Sequence, residues 1–375
     1  MSAEPGRRRT LPLILISVAT LLAFLAIFAV WANRQLLNTD NWTETSSELL
    51  ENEAIRTQIA GFLVDELYAN VDVEAQIRAA LPPRAAPLAG PAAGGLRQVF
   101  ERGTTELLGR PRAQERWEQA NRRAHRRLIA VVQGEDIGAL STSGGNVTLD
   151  LKQLLTQTQE RAGVGGRLAD KLPPDAAQLT VLKSDDLGLA QDMVDFFEKF
   201  VVLIVILTFG LYALAVYLAR GWRREALRAV GVGFVVAGAG VLIARSLAGD
   251  AVVESLASTD SVRPAVEATW DISTSLLDEA ATALLGYGLV LLLAAWVAGP
   301  SSWATSVRRW LAPYLREPRI AYGGMAAIVL LVLWWSPTPA TRKVLPALIL
   351  IGLLALGVEM LRRQTAREYP DARLT

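Results

Sequence analysis

The single histidine in the sequence, His125, is the first place to look for proton-transfer chemistry at neutral pH. It lies eight residues after Trp117 and four after Asn121, a spacing that puts all three on one helix face. An imidazole oriented by a neighbouring amide can act as a general base. The sequence offers it no second histidine and no cysteine. The other reading of the same stripe is a packed seam, with indole, amide and imidazole hydrogen-bonding across to a facing helix. Arg122, Arg123, Arg126 and Arg127 share this segment, after Arg112 and Arg116. Such a face suits anionic lipid headgroups or phosphate-bearing wall polymers, or is solvated and paired with Glu115 and Glu118. Asp185, Asp186, Asp192, Asp195 and Glu198 bring together oxygen ligands of the kind hard cations take, without a D-x-D-x-D-G loop. The expectation is a chain with no catalytic residue, no cofactor and no metal. Its candidate seam is Trp117, Asn121 and His125, and its candidate basic surface is Arg122, Arg123, Arg126 and Arg127.

The elements that carry these residues follow from the distribution of charge. Of 375 residues, 51% are apolar, and 38 basic side chains balance 37 acidic ones. The stretches Leu11–Trp31, Val201–Leu218 and Leu284–Val297 hold no ionisable residue, whereas Arg34–Lys183 is full of them. Roughly 20 apolar helical residues cross a bilayer core of about 30 Å. Six segments approach that length: Leu11–Trp31, Phe200–Leu218, Val230–Ala244, Ala280–Val297, Ile320–Trp335 and Val344–Leu361. The first follows Arg7–Arg9 but runs on to Trp31 with no A-x-A site, which predicts an uncleaved anchor. The absence of cysteine excludes disulfides, thiolate metal sites and lipid attachment on cysteine.

Arginine sets the orientation. Arg7–Arg9, Arg220–Arg228, Arg308–Arg319 and Arg362–Arg373 alternate with an acidic stretch, Gly249–Glu279, and a short turn, Ser336–Lys343. Six crossings put every basic stretch on the cytoplasmic side and residues 33–198 outside, where nucleic acid is not a partner. Trp334 and Trp335 suit the outer headgroup belt, and Trp222, Trp303 and Trp310 the inner one. Arg245 and Glu359 fall at span ends within snorkelling reach of water. Gly231, Gly233, Gly238, Gly240, Gly286 and Gly288 predict close helix contacts.

Residues 33–198 read as mostly helical. Thr45-x-x-Glu48 has the form of a capping box before an apolar run, Leu49, Leu50, Ile55, Ile59, Phe62, Leu63 and Leu67. Asp72 caps a short helix, Val73–Leu81, that stops at Pro82-Pro83, and Pro111 opens another running to about Val132. Between these, 84–108 is either a broken helix or a mobile connector. Strands are expected at Ile137–Leu140 and Val147–Leu151 around Ser143-Gly144-Gly145-Asn146, and a third at Gln178–Leu182, with a helix at Leu151–Arg161 between them. From Leu187 a helix passes into the second span.

The fold class expected is therefore a mainly α membrane protein, with six transmembrane helices and a mostly helical extracytoplasmic domain holding a small β-sheet. Its parts are 1–32 (cytoplasmic start and anchor), 33–198 (extracytoplasmic domain), 199–361 (five-helix bundle) and 362–375 (cytoplasmic tail). The stretches LLNTDNWTETSSELLENEAIRTQIAGFLVDELY, W-x3-N-x3-H, VTLDL and LPP…LTVLKSDDLGLAQ make the chain resemble a family of uncharacterised actinobacterial integral membrane proteins. That resemblance implies the same anchored architecture and brings no activity. The function expected is a non-catalytic plasma-membrane protein of the cell envelope, whose outer domain binds or senses an envelope protein, a wall polymer or a lipid. A transporter or flippase for a hydrophobic small molecule is the alternative, and a homo-oligomer is compatible with both.

Overall fold

The structure, a computed structural model, describes residues 7–135, 140–141, 146–150, 178–183, 185–335 and 344–369. It is mainly helical and divides into two compact units. One unit comprises Met1–Trp31, Val201–Ala248 and Thr274–Thr375; the other comprises Ala32–Phe200 and Gly249–Ser273.

In the second unit, helix α1 (Arg7–Leu37) ends beside α2 (Thr39–Glu51), followed by α3 (Glu53–Asn70) and α4 (Val73–Ala80). Two asparagines make the breaks. Asn38 accepts hydrogen bonds from the Asp40 and Asn41 amides, and Asn52 from those of Ala54 and Ile55, so each satisfies donors a helix start leaves unpaired. The guanidinium of Arg56 then covers the last carbonyls of α2, donating to Leu50 and Glu51. The capping box expected at Thr45 is not used. Thr45 is buried in the middle of α2 and accepts from Gln35 Nε2 at 3.0 Å. The long apolar run is likewise split. Leu50, Ile55, Ala60 and Val64 are buried, whereas Phe62, Leu63 and Leu67 are exposed because α5 covers a different face of α3.

Asp72 caps α4 through the Ala75 amide at 2.8 Å, as expected. Residues 84–108 are helical: a 3-10 turn, Ala86–Leu88, leads into α5 (Ala89–Leu108). Tyr68 donates to the Ala93 carbonyl at 2.9 Å, and Arg97 pairs with Asp65, which fixes α3 and α5 antiparallel. Pro111 opens α6 (Pro111–Val132). Three short strands follow, β1 (Leu140–Ser141), β2 (Asn146–Asp150) and β3 (Gln178–Lys183), paired antiparallel in that order with a bulge at Val147/Thr148. The helix expected at Leu151–Arg161 lies outside the described residues.

Helix α7 (Asp185–Leu218) and helix α8 (Arg223–Leu256) are each unbroken over 34 residues. The last two turns of α8 and helix α9 (Arg263–Ser273) belong to the second unit, where α9 packs on α2 and α3. Gly249 admits the Trp270 indole, since a Cβ there would sit 2.5 Å from its Nε1. Gln58 of α3 donates to the Ser261 carbonyl at 3.1 Å.

The first unit holds α10 (Ser275–Val297), α11 (Ser302–Arg316), α12 (Pro318–Trp335) and α13 (Val344–Glu368), with α1 up to residue 31, the second half of α7 and all but the last two turns of α8. Four helices among the described residues are long and apolar enough to cross a membrane: those containing Arg9–Leu37, Leu187–Leu218, Arg223–Leu256 and Ser275–Val297. Six were expected. The helices at Ile320–Trp335 and Val344–Leu361 form, but they are not among these four. The side chains of Trp334 and Trp335 lie outside the described set.

Small residues bring α8 against α10. A Cβ on Gly231 would meet the Gly288 carbonyl at 3.1 Å, and one on Gly238 the Ala281 carbonyl at 2.7 Å. Seven residues separate the contacts on each helix, so they recur every two turns of an antiparallel pair. Gly233 faces Thr20 and Gly240 faces Phe24, while Gly286 has nothing near it. Gly238→Ala is expected to push the pair apart and destabilise by about 1–3 kcal/mol, read as a lower melting midpoint of the detergent-solubilised protein. Gly286→Ala serves as the neutral control.

Arg245 follows the third apolar stretch, partway along α8. It lies eleven residues before the end of α8, is half-buried, and donates to the buried Thr274 hydroxyl at 2.8 Å with Asp278 at 4.0 Å. Arg308 is the most buried charge among the described residues of the unit, with a side chain only 3% exposed. Its Nε and Nη2 grip both oxygens of Glu368 at 2.8 and 3.3 Å, and its Nη1 donates to the Val297 and Gly299 carbonyls. One guanidinium thus ties α11 to α13 and to the end of α10.

Candidate functional site

Within the second unit, the expected stripe on α6 faces α2. Every fourth residue or so of α2 meets it: Thr39, Trp42 and Ser46 opposite His125 and Trp117. Trp117 Nε1 donates to the Ser46 carbonyl at 3.1 Å and to its hydroxyl at 3.0 Å, with part of the indole left in solvent.

His125 is 5% exposed and engaged on both ring nitrogens. Nε2 is 3.2 Å from the Leu36 carbonyl, which can only accept, so that nitrogen carries the proton. Nδ1 is then the acceptor for the Thr39 hydroxyl, also at 3.2 Å. The Trp42 ring stacks on the imidazole with centroids 4.9 Å apart and planes inclined by 17°. Burial holds the His125 pKa below the ordinary imidazole value, against a smaller upward pull from the Leu36 carbonyl. A neutral ring with its lone pair occupied is a poor general base and a good helix cap. The Leu36 carbonyl belongs to the last turn of α1, where intrahelical donors run out, and Asn41 Nδ2 similarly serves the Arg34 carbonyl at 3.3 Å.

Asn121 does not orient the imidazole. Its Nδ2 turns back to the Trp117 carbonyl at 3.3 Å, one turn earlier on α6. The arginines divide as well. Arg122 pairs with Asp40 of α2 and, at 3.4 Å, with Glu118, and these partners hold its pKa up. Arg123 donates to the Gln119 carbonyl at 3.1 Å. Arg126 and Arg127 are exposed. Arg122 therefore belongs to the seam, and the outward basic surface is Arg123, Arg126 and Arg127.

The acidic cluster before the second apolar stretch is spoken for in part. Asp195 pairs with Lys199 at 2.6 Å, and Glu198 accepts from Gln133 Nε2 at 2.7 Å. Among the described residues no three or more histidine, aspartate or glutamate side chains are placed to hold a metal ion. The α2 half of the seam is what the α6 stripe alone did not reveal. Its signal is the spacing of Thr39, Trp42, Thr43 and Ser46, one helical face following the asparagine cap.

Fold and site together define a mainly helical protein with, among the described residues, four helices long and apolar enough to cross a membrane, and a second unit organised around a neutral, buried histidine. Comparison with family models, curated proteins and solved structures gives no match.

Proposed function

We propose that the chain is a multi-pass plasma-membrane protein of the cell envelope, and that residues 32–200 with 249–273 form an extracytoplasmic, non-catalytic binding or sensing module. The observation that carries this reading is the second unit itself. Two stretches separated by 48 residues of largely apolar helix fold as one body, so they share a side of any membrane those helices cross. Residues 201–248 supply two crossings, which return the chain to the side it left. Arginine then assigns the sides, because Arg220–Arg228 lies on the connection away from the unit. Six crossings, with α12 and α13 as the final pair, extend the same alternation to Arg308–Arg319 and Arg362–Arg367. The engaged imidazole of His125 favours a structural seam over proton chemistry, and Arg123, Arg126 and Arg127 offer a face for an anionic wall polymer or an acidic partner.

The cysteine-free chain makes the test direct. Single cysteines at Ala120 and Thr259 are expected to react with an impermeant maleimide on intact cells, and those at Ser306 and Ala366 only after permeabilisation. All four positions are exposed. Labelling of Ala120 and Thr259 from opposite sides would contradict the shared unit, and outside labelling at Ser306 would contradict the orientation.

A further inference from the structure

Helix α11 presents three faces. Ala304, Arg308, Ala312 and Leu315 are buried against the rest of the first unit. Ser302, Ser306 and Arg309 are polar and exposed. Between these faces run Trp303, Trp310 and Tyr314, seven and four residues apart; the first two are 64% and 69% exposed. A large aromatic stripe in water beside a polar face is the arrangement of a helix lying in the headgroup layer, where indole rings are favoured.

The aromatic edge also borders a crevice. Trp310 and Tyr314 form one wall, Ile320 and Gly324 of α12 a second, and Leu354 and Val358 of α13 the third, enclosing about 450 Å³. No charged side chain lines it. It runs about 7–10 Å along α12 and α13, from Ile320 and Leu361 at one end to Met325 and Leu354 at the other. Among the described residues, charge gathers at the first end. Arg319 precedes Ile320, and Arg362 and Arg363 follow Leu361. Glu359 is taken up by Tyr322 at 2.8 Å, Arg363 at 2.7 Å and Arg362 at 3.6 Å, which leaves Glu317 as the other nearby acid.

We propose that this crevice holds one acyl chain of an anionic glycerophospholipid of the cytoplasmic leaflet, with its headgroup at Arg319. An apolar slot with a net cationic mouth, rimmed by interfacial aromatics, matches a chain on one end and a phosphate on the other. The inference rests on the cytoplasmic placement of α11 proposed above.

The test uses the purified full-length protein in detergent, titrated with dioleoyl phosphatidylglycerol or dioleoyl phosphatidylcholine and read by native mass spectrometry. The wild type is expected to retain the glycerol lipid at least fivefold more than the choline lipid. Arg319→Gln should remove about fivefold of that preference, leaving retention of the choline lipid unchanged, whereas Arg309→Gln, on the opposite face of α11, should change neither. Gly324→Phe should lower retention of both lipids about tenfold, because a Cβ there meets nothing within 4 Å and the ring has the crevice to enter. Equal retention of the two lipids by the wild type, a preference indifferent to Arg319→Gln, or full retention in Gly324→Phe would each overturn the proposal. Failure of the topology is separate: it appears as outside labelling at Ser306, whatever the lipids do.

Discussion

Arg308→Met is expected to be the most damaging single change in the first unit, costing about 3–5 kcal/mol, the range for removing one partner of a buried pair. The loss has three parts. Glu368 loses a bidentate partner, and the Val297 and Gly299 carbonyls at the end of α10 lose their donor in a place water reaches poorly. Methionine of similar length fills the space, so the measurement reports hydrogen bonds and charge rather than a cavity. Arg308→Lys should recover less than half the loss, since one ammonium cannot reproduce a planar fork spread over two helices and a loop. Arg309→Met, next door but exposed, should stay within about 0.5 kcal/mol of wild type. Thermal unfolding of the full-length protein in detergent, followed by tryptophan fluorescence, separates these cases. An Arg308→Met variant that melts with the wild type would show that the clamp contributes nothing.

His125→Ala is the second large effect, about 2–3 kcal/mol. It leaves the Leu36 carbonyl without its donor, removes the acceptor of the Thr39 hydroxyl and deprives Trp42 of its stacking partner. His125→Gln keeps one donor and one acceptor and should restore most of the stability. Trp117→Ala should cost about 2 kcal/mol, because the indole is part-exposed and its cavity correspondingly smaller. Asn121→Ala should be nearly silent. The acidic limb adds a signature of its own. A histidine with a depressed pKa contributes stability that is complete above the ordinary value of about 6.5 and is lost as pH falls through the lower folded value, because the unfolded chain takes up the proton first. Between pH 7.5 and 5 the wild type should therefore lose melting temperature relative to His125→Gln. A His125→Gln variant that melts like wild type yet fails to complement a deletion strain would restore the catalytic reading.

Much of this could be read from residue types, and the misses have physical reasons. The glycines at 231, 238 and 288 signal close contacts because nothing else allows carbonyl-to-backbone approach, and the structure uses them so. Asp72 and Pro111 mark helix starts because cap chemistry is local. Thr45 was misleading for the same reason: its capping pattern is real, but Asn38 and Asn52 compete for the same helix ends, and an asparagine reaches the second and third amides at least as well. Phe62, Leu63 and Leu67 have the periodicity of a core face without being one. Periodicity records which side of a helix is apolar and says nothing of whether a neighbour arrives to cover it. The stripe Trp117–His125 was legible as a face of α6, whereas its partners Thr39, Trp42 and Ser46 sit some 70 to 90 residues earlier, at a separation no local pattern spans. Arg308 is one arginine among several in a basic stretch, and only the fold distinguishes it.

The contribution of α9 to the second unit has a consequence for biogenesis. When the ribosome has translated residues 32–200, the α3 surface around Ile55 and Ile59 still awaits Val262, Ala265, Val266 and Trp270. Those residues are synthesised only after 201–248 has been made and, on the proposed topology, inserted. On that topology the unit closes late, and a chain that threads residues 201–248 wrongly would hold α9 on the far side of the membrane from α2 and α3.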